Sequence, residues 1–137
     1  MRPVVLDCSV TMAWCFEDQA DPMTDRVLDS LDEREGLVPC IWPLEVANVL
    51  LVAERHARLA EADSARFLDL LGALPILIED VSLARATGAV LSAARQVELS
   101  SYDAAYLELA MRSGALLATR DQSLGRAARQ AGVELFA

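Results

Sequence analysis

Four acidic residues occupy one kind of place in this chain. Asp7 directly follows the apolar run Val4-Val5-Leu6, and Asp121 lies just past the apolar run 115–118. Glu45 and Asp103 each fall in the first turn of an expected helix, one opened by Pro43 and the other capped by Ser100 or Ser101. An acid at the C-terminal end of a strand and an acid opening a helix can both reach a cleft above a parallel sheet. First-turn acids also suit the helix dipole, so Glu45 and Asp103 have a purely structural reading too. The apolar flanks argue for more. They predict partial burial, where clustered carboxylates repel one another and need a cation. An oxygen-only set without His or Cys favours Mg²⁺ or Mn²⁺. Such an ion commonly serves phosphoryl chemistry, activating a water and steadying a leaving oxygen.

The elements that must hold these acids follow from periodicity. Residues 3–6 read as a first strand, after which Ser9 is expected to cap a helix through Val10, Ala13 and Trp14. Asp21-Pro22 opens a second helix, and its stripe of Asp21, Asp25 and Asp29 reads as a solvated face. Gly36 is expected to end that helix, with Leu37-Val38-Pro39 as a second strand. The third helix runs from Pro43, is apolar on most sides through Val52, and ends on Arg55, His56 and Arg58. Residues 61–74 form an amphipathic fourth helix closed by Pro75, and residues 76–78 a third strand. Ser82 caps a fifth helix through Leu91 and Arg95. The stretch 99–121 then supplies a helix stopped by Gly114, a buried strand at 115–118, and Asp121. A last helix around 124–130 and a short edge strand at 133–136 complete the series. Strands alternating with helices imply an α/β domain with a parallel sheet of four to five strands, covered on both faces by right-handed crossovers. With strands one and four as neighbours, all four acids converge over one edge. The 137 residues suit one domain, 1–137, with no repeat or linker.

Composition narrows the function further. The net charge is −9, and all 12 basic residues are arginines, which argues against a general polyanion binder. The charge is uneven. Residues 17–35 hold eight acids against two arginines, whereas residues 112–129 hold four arginines against one acid. A phosphate-facing surface therefore belongs to the C-terminal third, with Arg112, Arg120 and Arg126 as candidates. The chain is 54% hydrophobic, apolar for its size, so an apolar interface and a homodimer are expected, centred on residues 44–52 with Phe67, Leu70 and Leu71. No apolar run reaches a bilayer span and Asp7 arrives too early for a signal peptide, so no membrane is expected. Cys8, Cys15 and Cys40 lack metal-ligand spacing and read as reduced, small buried groups of a cytoplasmic protein.

The segments VVLDCSVTMAW, WPLEVANVL, LSSYDAAYLELA and LLATRD, in this order and spacing, resemble the PIN domain, and within it VapC-type toxins of bacterial toxin–antitoxin pairs. The resemblance spans nearly the whole chain from about residue 3. It implies an α/β/α sandwich, usually homodimeric, acting as a Mg²⁺- or Mn²⁺-dependent endoribonuclease that cleaves RNA phosphodiesters. It also implies a VapB-type antitoxin that wraps the toxin and blocks its site. Carried over by position, Asp7, Glu45, Asp103 and Asp121 form the acidic, catalytic and metal-holding set. Ser9 and Thr119 match the polar positions beside the first and last acids, and Asn48 lies one helical turn after Glu45.

Other chemistries fit less well. Asp7-Cys8-Ser9 lacks the second acid of an Asp-x-Asp phosphatase, and a two-component receiver needs a lysine that this chain does not contain. A Cys8 nucleophile needs a nearby base, and His56, the only histidine, falls at the far end of the third helix. The remaining alternative is a PIN-fold interaction module with weak or no nuclease activity.

Overall fold

The computed structural model describes residues 1–137. Strand β1 (Val4–Leu6) is followed by helix α1 (Cys8–Ala13), a short 3₁₀ turn (Glu17–Gln19), and α2 (Pro22–Ser30). Strand β2 (Gly36–Pro39), α3 (Trp42–Arg55), α4 (Glu61–Gly72) and β3 (Ile76–Glu79) come next. Then follow α5 (Leu83–Arg85), a π-helical segment (Ala86–Val90), α6 (Leu91–Val97), α7 (Ser101–Ser113), β4 (Leu116–Ala118) and α8 (Gln122–Gln130). The four strands form one parallel sheet in the order β3-β2-β1-β4, flanked by helices in the expected three-layer manner. β1 and β4 are in register, Val4 opposite Leu116 and Leu6 opposite Ala118. Their C-terminal ends therefore finish side by side.

The burial follows the topology. Every residue of β1, β2 and β4 is buried, as expected of strands covered on both faces. A single cluster of apolar side chains joins these strands to α1, α3, α7 and α8. At the sheet's edge, β3 is different: Leu77 and Ile78 are about half exposed.

Several sequence expectations are corrected. Gly36 does not end α2, which stops at Ser30. It opens β2, where a Cβ would lie 2.8 Å from the Leu6 Cδ1, so the site needs the missing side chain rather than a turn. Residues 133–136 form no full strand. Only Leu135 bridges to Leu117, while Leu117 donates to the Glu134 carbonyl and accepts from the Phe136 amide. The chain enters this segment from Gly132, which is in the left-handed conformation (φ 77). The fifth helix is not uniform: Thr87 Oγ1 donates to the Leu83 carbonyl at 2.7 Å, and a π-helical turn separates α5 from α6. Of the apolar set 44–52 with Phe67, Leu70 and Leu71, Val46, Leu50, Phe67 and Leu71 belong to the core. Leu44, Leu51, Val52 and Leu70 stay exposed. Of the three cysteines only Cys8 is buried, and Cys40 is exposed. No helix is long and apolar enough to cross a membrane.

Candidate active site

The β1–α1 and β4–α8 corners meet through two hydroxyl groups. Asp7 holds the cap position of α1 with extended backbone, yet its side chain caps nothing. The helix thus begins two residues earlier than a Ser9 cap requires, and the Asp7 carboxylate is engaged across the sheet. Its Oδ2 accepts from Ser9 Oγ at 2.7 Å and from Thr119 Oγ1 at 2.8 Å. Each hydroxyl in turn accepts from the neighbouring loop: Ser9 Oγ from the Arg120 amide (3.0 Å) and Thr119 Oγ1 from the Asp121 amide (2.9 Å). Asp121 caps α8, its Oδ1 accepting from the amides of Ser123 and Leu124 at 2.8 and 3.1 Å.

Glu45 and Asp103 come from the two helices above the same edge. Trp42 opens α3 and its indole donates to the buried Thr11 Oγ1 at 3.0 Å, tying the start of α3 to α1. Glu45 follows in the first turn and accepts a hydrogen bond from the phenol of Tyr106, a fully buried residue of α7. Ser100 is the α7 cap, accepting from the Asp103 amide at 3.1 Å, which leaves the Asp103 carboxylate free of the capping role. Tyr106 is a site residue that periodicity alone assigns to the core. Its position one turn after Asp103 on the same helix is the signal that could have found it.

The electrostatics show that these acids face one another. Burial holds the Asp7 carboxyl above its ordinary range, the charge of Asp121 adds to this, and the Ser9 and Thr119 hydroxyls pull it back. Glu45 is raised by burial and then by Asp7 and Asp103, with Tyr106 opposing. Asp103 is raised by burial and then by Asp7 and Asp121. None of the four joins an ion pair. The adjacent guanidinium, that of Arg120, is paired with Asp21 at 3.2 Å. Burial, with Glu45 and Asp7 nearby, pushes the Cys8 thiol up to about 12, so it stays protonated and is no nucleophile. His56 caps the opposite end of α3 from Glu45.

The donor set is all oxygen, anionic and unneutralised, which fits a hard divalent cation. No three side chains converge on one point as they stand. Glu45 is drawn toward Tyr106 and one oxygen of Asp121 is spent on the cap. The other sequence candidates divide. Ser9 and Thr119 touch Asp7 directly. Asn48 is exposed on α3 and bonds to none of the acids. Arg112, nine residues beyond Asp103 and roughly 13 Å along α7, is bound to Glu108 at 3.2 Å. Arg126 is exposed on α8, near Ser123.

A parallel α/β/α domain with acids just past β1 and β4 and in the first turns of α3 and α7 is a recognisable class of fold. The PIN domain model matches residues 4–130, so the chain belongs to the PIN domain family. Members of this family are generally nucleases, and they generally use divalent metals. The fold is similar to the crystal structure of PAE2754 from Pyrobaculum aerophilum, with TM-score 0.71 and 21% identity over 92% of this chain and 79% of that one. It is similar to VapBC2 from Rickettsia felis, bound to a DNA fragment from their promoter, with TM-score 0.69 and 14% identity over 97% and 96%. FitAcB from Neisseria gonorrhoeae gives TM-score 0.65 and 20% identity over 98% and 96%. No curated protein matches the chain by sequence at a significant level.

Proposed function

We propose that this protein is a metal-dependent endoribonuclease and the toxin of a VapBC-type toxin–antitoxin pair. The observation that carries this reading is the placement of Asp7 and Asp121 just past β1 and β4, and of Glu45 and Asp103 in the first turns of α3 and α7, without a single cationic partner. Membership of a nuclease family and the likeness to VapBC2 support it. Asp7, Glu45 and Asp103 would hold the principal Mg²⁺ or Mn²⁺ ion, and Asp121 a second ion or its water. The bound metal supplies activation of water and neutralisation of charge at the phosphodiester. Ser9 and Thr119 fix the Asp7 carboxylate by donating to its Oδ2, so its rotamer is set before any ion arrives. Tyr106 does the same for Glu45. Arg120, at the rim, can exchange Asp21 for an RNA phosphate.

Two partners complete the proposal. Leu77, Ile78, Leu44, Leu83 and Tyr102 expose apolar surface beside an open sheet edge, which a second copy would cover in a homodimer. A groove of about 720 Å³ between α1, the 3₁₀ turn and α4, lined by Trp14, Phe16, Arg58 and Phe67, would take a VapB-type antitoxin segment. The competing reading, a PIN-fold interaction module, draws on the failure of three ligands to converge. The test is cleavage of single-stranded RNA by the purified protein. Cutting that requires Mg²⁺ or Mn²⁺, stops with EDTA and vanishes in Asp7→Asn supports the nuclease. A wild type that cuts nothing with either metal but binds its antitoxin supports the module.

A further inference from the structure

A polar groove of about 410 Å³ runs between the α6–α7 turn and α8. Its polar lining is Gln96, Glu98, Ser123, Arg126 and Gln130. Ser123, Arg126 and Gln130 recur at helical spacing and so form one stripe down α8. Gln96 and Glu98 face them from the end of α6, where Glu98 turns the chain in the left-handed conformation at φ 57. Two of its lining residues connect it to the acidic site. The Ser123 amide bonds Asp121 Oδ1 at 2.8 Å, and Leu99, also lining the groove, directly precedes the Ser100 cap that binds the Asp103 amide. A strand whose phosphate lay over the acids would find its neighbouring nucleotide at the mouth of this groove.

The chemistry of the lining selects what enters. One guanidinium and one carboxylate cancel, so the groove does not attract a phosphate. Two carboxamides, a hydroxyl and the guanidinium offer donors and acceptors together, as the edges of nucleobases do. The volume is within the range of small-ligand sites and suits a nucleotide. Sequence-specific recognition of RNA works on unstacked bases of single strands, hydrogen-bonded at their edges. Resting on the nuclease reading above, we infer that the α6–α8 groove binds a nucleobase flanking the cut site, with Gln96, Gln130 and Arg126 setting base preference.

Binding of short fluorescein-labelled homopolymers of adenylate, cytidylate and uridylate, in EDTA so that nothing is cut, tests this by fluorescence anisotropy. Wild type should separate the best from the worst base by at least about fivefold, the lower end for one well-made base contact. The exposed substitutions Gln96→Ala and Gln130→Ala should flatten that preference and leave the salt dependence unchanged, since no charge is lost. Arg126→Ala should flatten it too and leave the salt slope nearly unchanged, since its guanidinium faces a base and not a phosphate. Sequencing of RNA ends cut by each variant with Mn²⁺ should show the same loss of preference. Equal binding of all homopolymers by wild type, no binding at all, or a preference unmoved by the glutamine variants overturns the groove assignment. If that happens while wild type still cuts RNA, the nuclease reading stands and only this inference falls. Absence of metal-dependent cutting removes the nuclease reading itself.

Discussion

Tyr106→Phe isolates one contact of the site. The ring remains in a fully buried position, so packing is unchanged, and only the phenolic donor to Glu45 is removed. A hydrogen bond to a charged group contributes about 1.5–3 kcal/mol, and because Glu45 is only partly buried the lower end applies, about 1.5 kcal/mol. Unfolding entropy of about 2.1 cal/mol/K per residue gives roughly 0.29 kcal/mol/K for the 137-residue chain, so the melting temperature should fall by about 5 °C. The measurement is thermal unfolding by circular dichroism, in EDTA at neutral pH. Tyr106 opposes the rise of the Glu45 pKa, so its loss should raise that pKa further, and the destabilisation should shrink as pH falls and Glu45 becomes protonated. The double variant with Glu45→Gln should cost less than the sum of the two single changes. A shift under about 1 °C, or strict additivity in the double variant, would show that the phenol does not hold Glu45.

Other perturbations read the rest of the site. Asp7, Glu45 and Asp103 bind protons more tightly folded than unfolded. Metal-free stability should therefore decline as pH rises from their ordinary values, 3.8 for Asp and 4.5 for Glu, through the raised ones. Chemical denaturation across that window checks the sign, and saturating Mn²⁺ should flatten the decline. Asp103→Asn should stabilise the metal-free protein and reduce the melting shift produced by Mg²⁺ or Mn²⁺ relative to wild type; equal metal shifts would place Asp103 outside the site. Induced in cells, wild type should arrest growth while Asp7→Asn does not, and Cys8→Ala and His56→Ala should behave as wild type. Arg112→Ala should leave the salt slope of RNA binding unchanged, since its guanidinium is bound to Glu108, whereas Arg120→Ala should lower it by about one. Light scattering at micromolar concentration should report a dimer, and Ile78→Asp should dissociate it.

The strands and the acids were readable because each rests on local pattern: a β-branched run before Asp7, Pro43 before Glu45, a serine cap before Asp103. Side-chain partnerships across the fold were not. Nothing in the spacing of Tyr106 and Glu45 shows a phenol reaching a carboxylate 61 positions away. Ser9 looked like a cap because serine usually is one, and Thr119 across the sheet decided otherwise. A charge count that singles out Arg112 carries no sign of its pairing with Glu108. Gly36 looked like a helix stop, whereas its role is set by Leu6, thirty positions earlier, packing against it.

The pairing of β1 with β4 also sets an order of events. Asp7 is made at the start of translation, yet its partner Thr119 lies 112 residues later. Until β4 leaves the ribosome, β1 has β2 on one side and an open edge on the other. Asp103 and Asp121 are likewise still to come. A nascent chain therefore carries half of its acids and only the Ser9 half of the clamp that fixes Asp7. The cleft cannot assemble before residue 121 has been made and has emerged. On the nuclease reading proposed above, a nascent chain of this topology is inactive until β4 and Asp121 have been added.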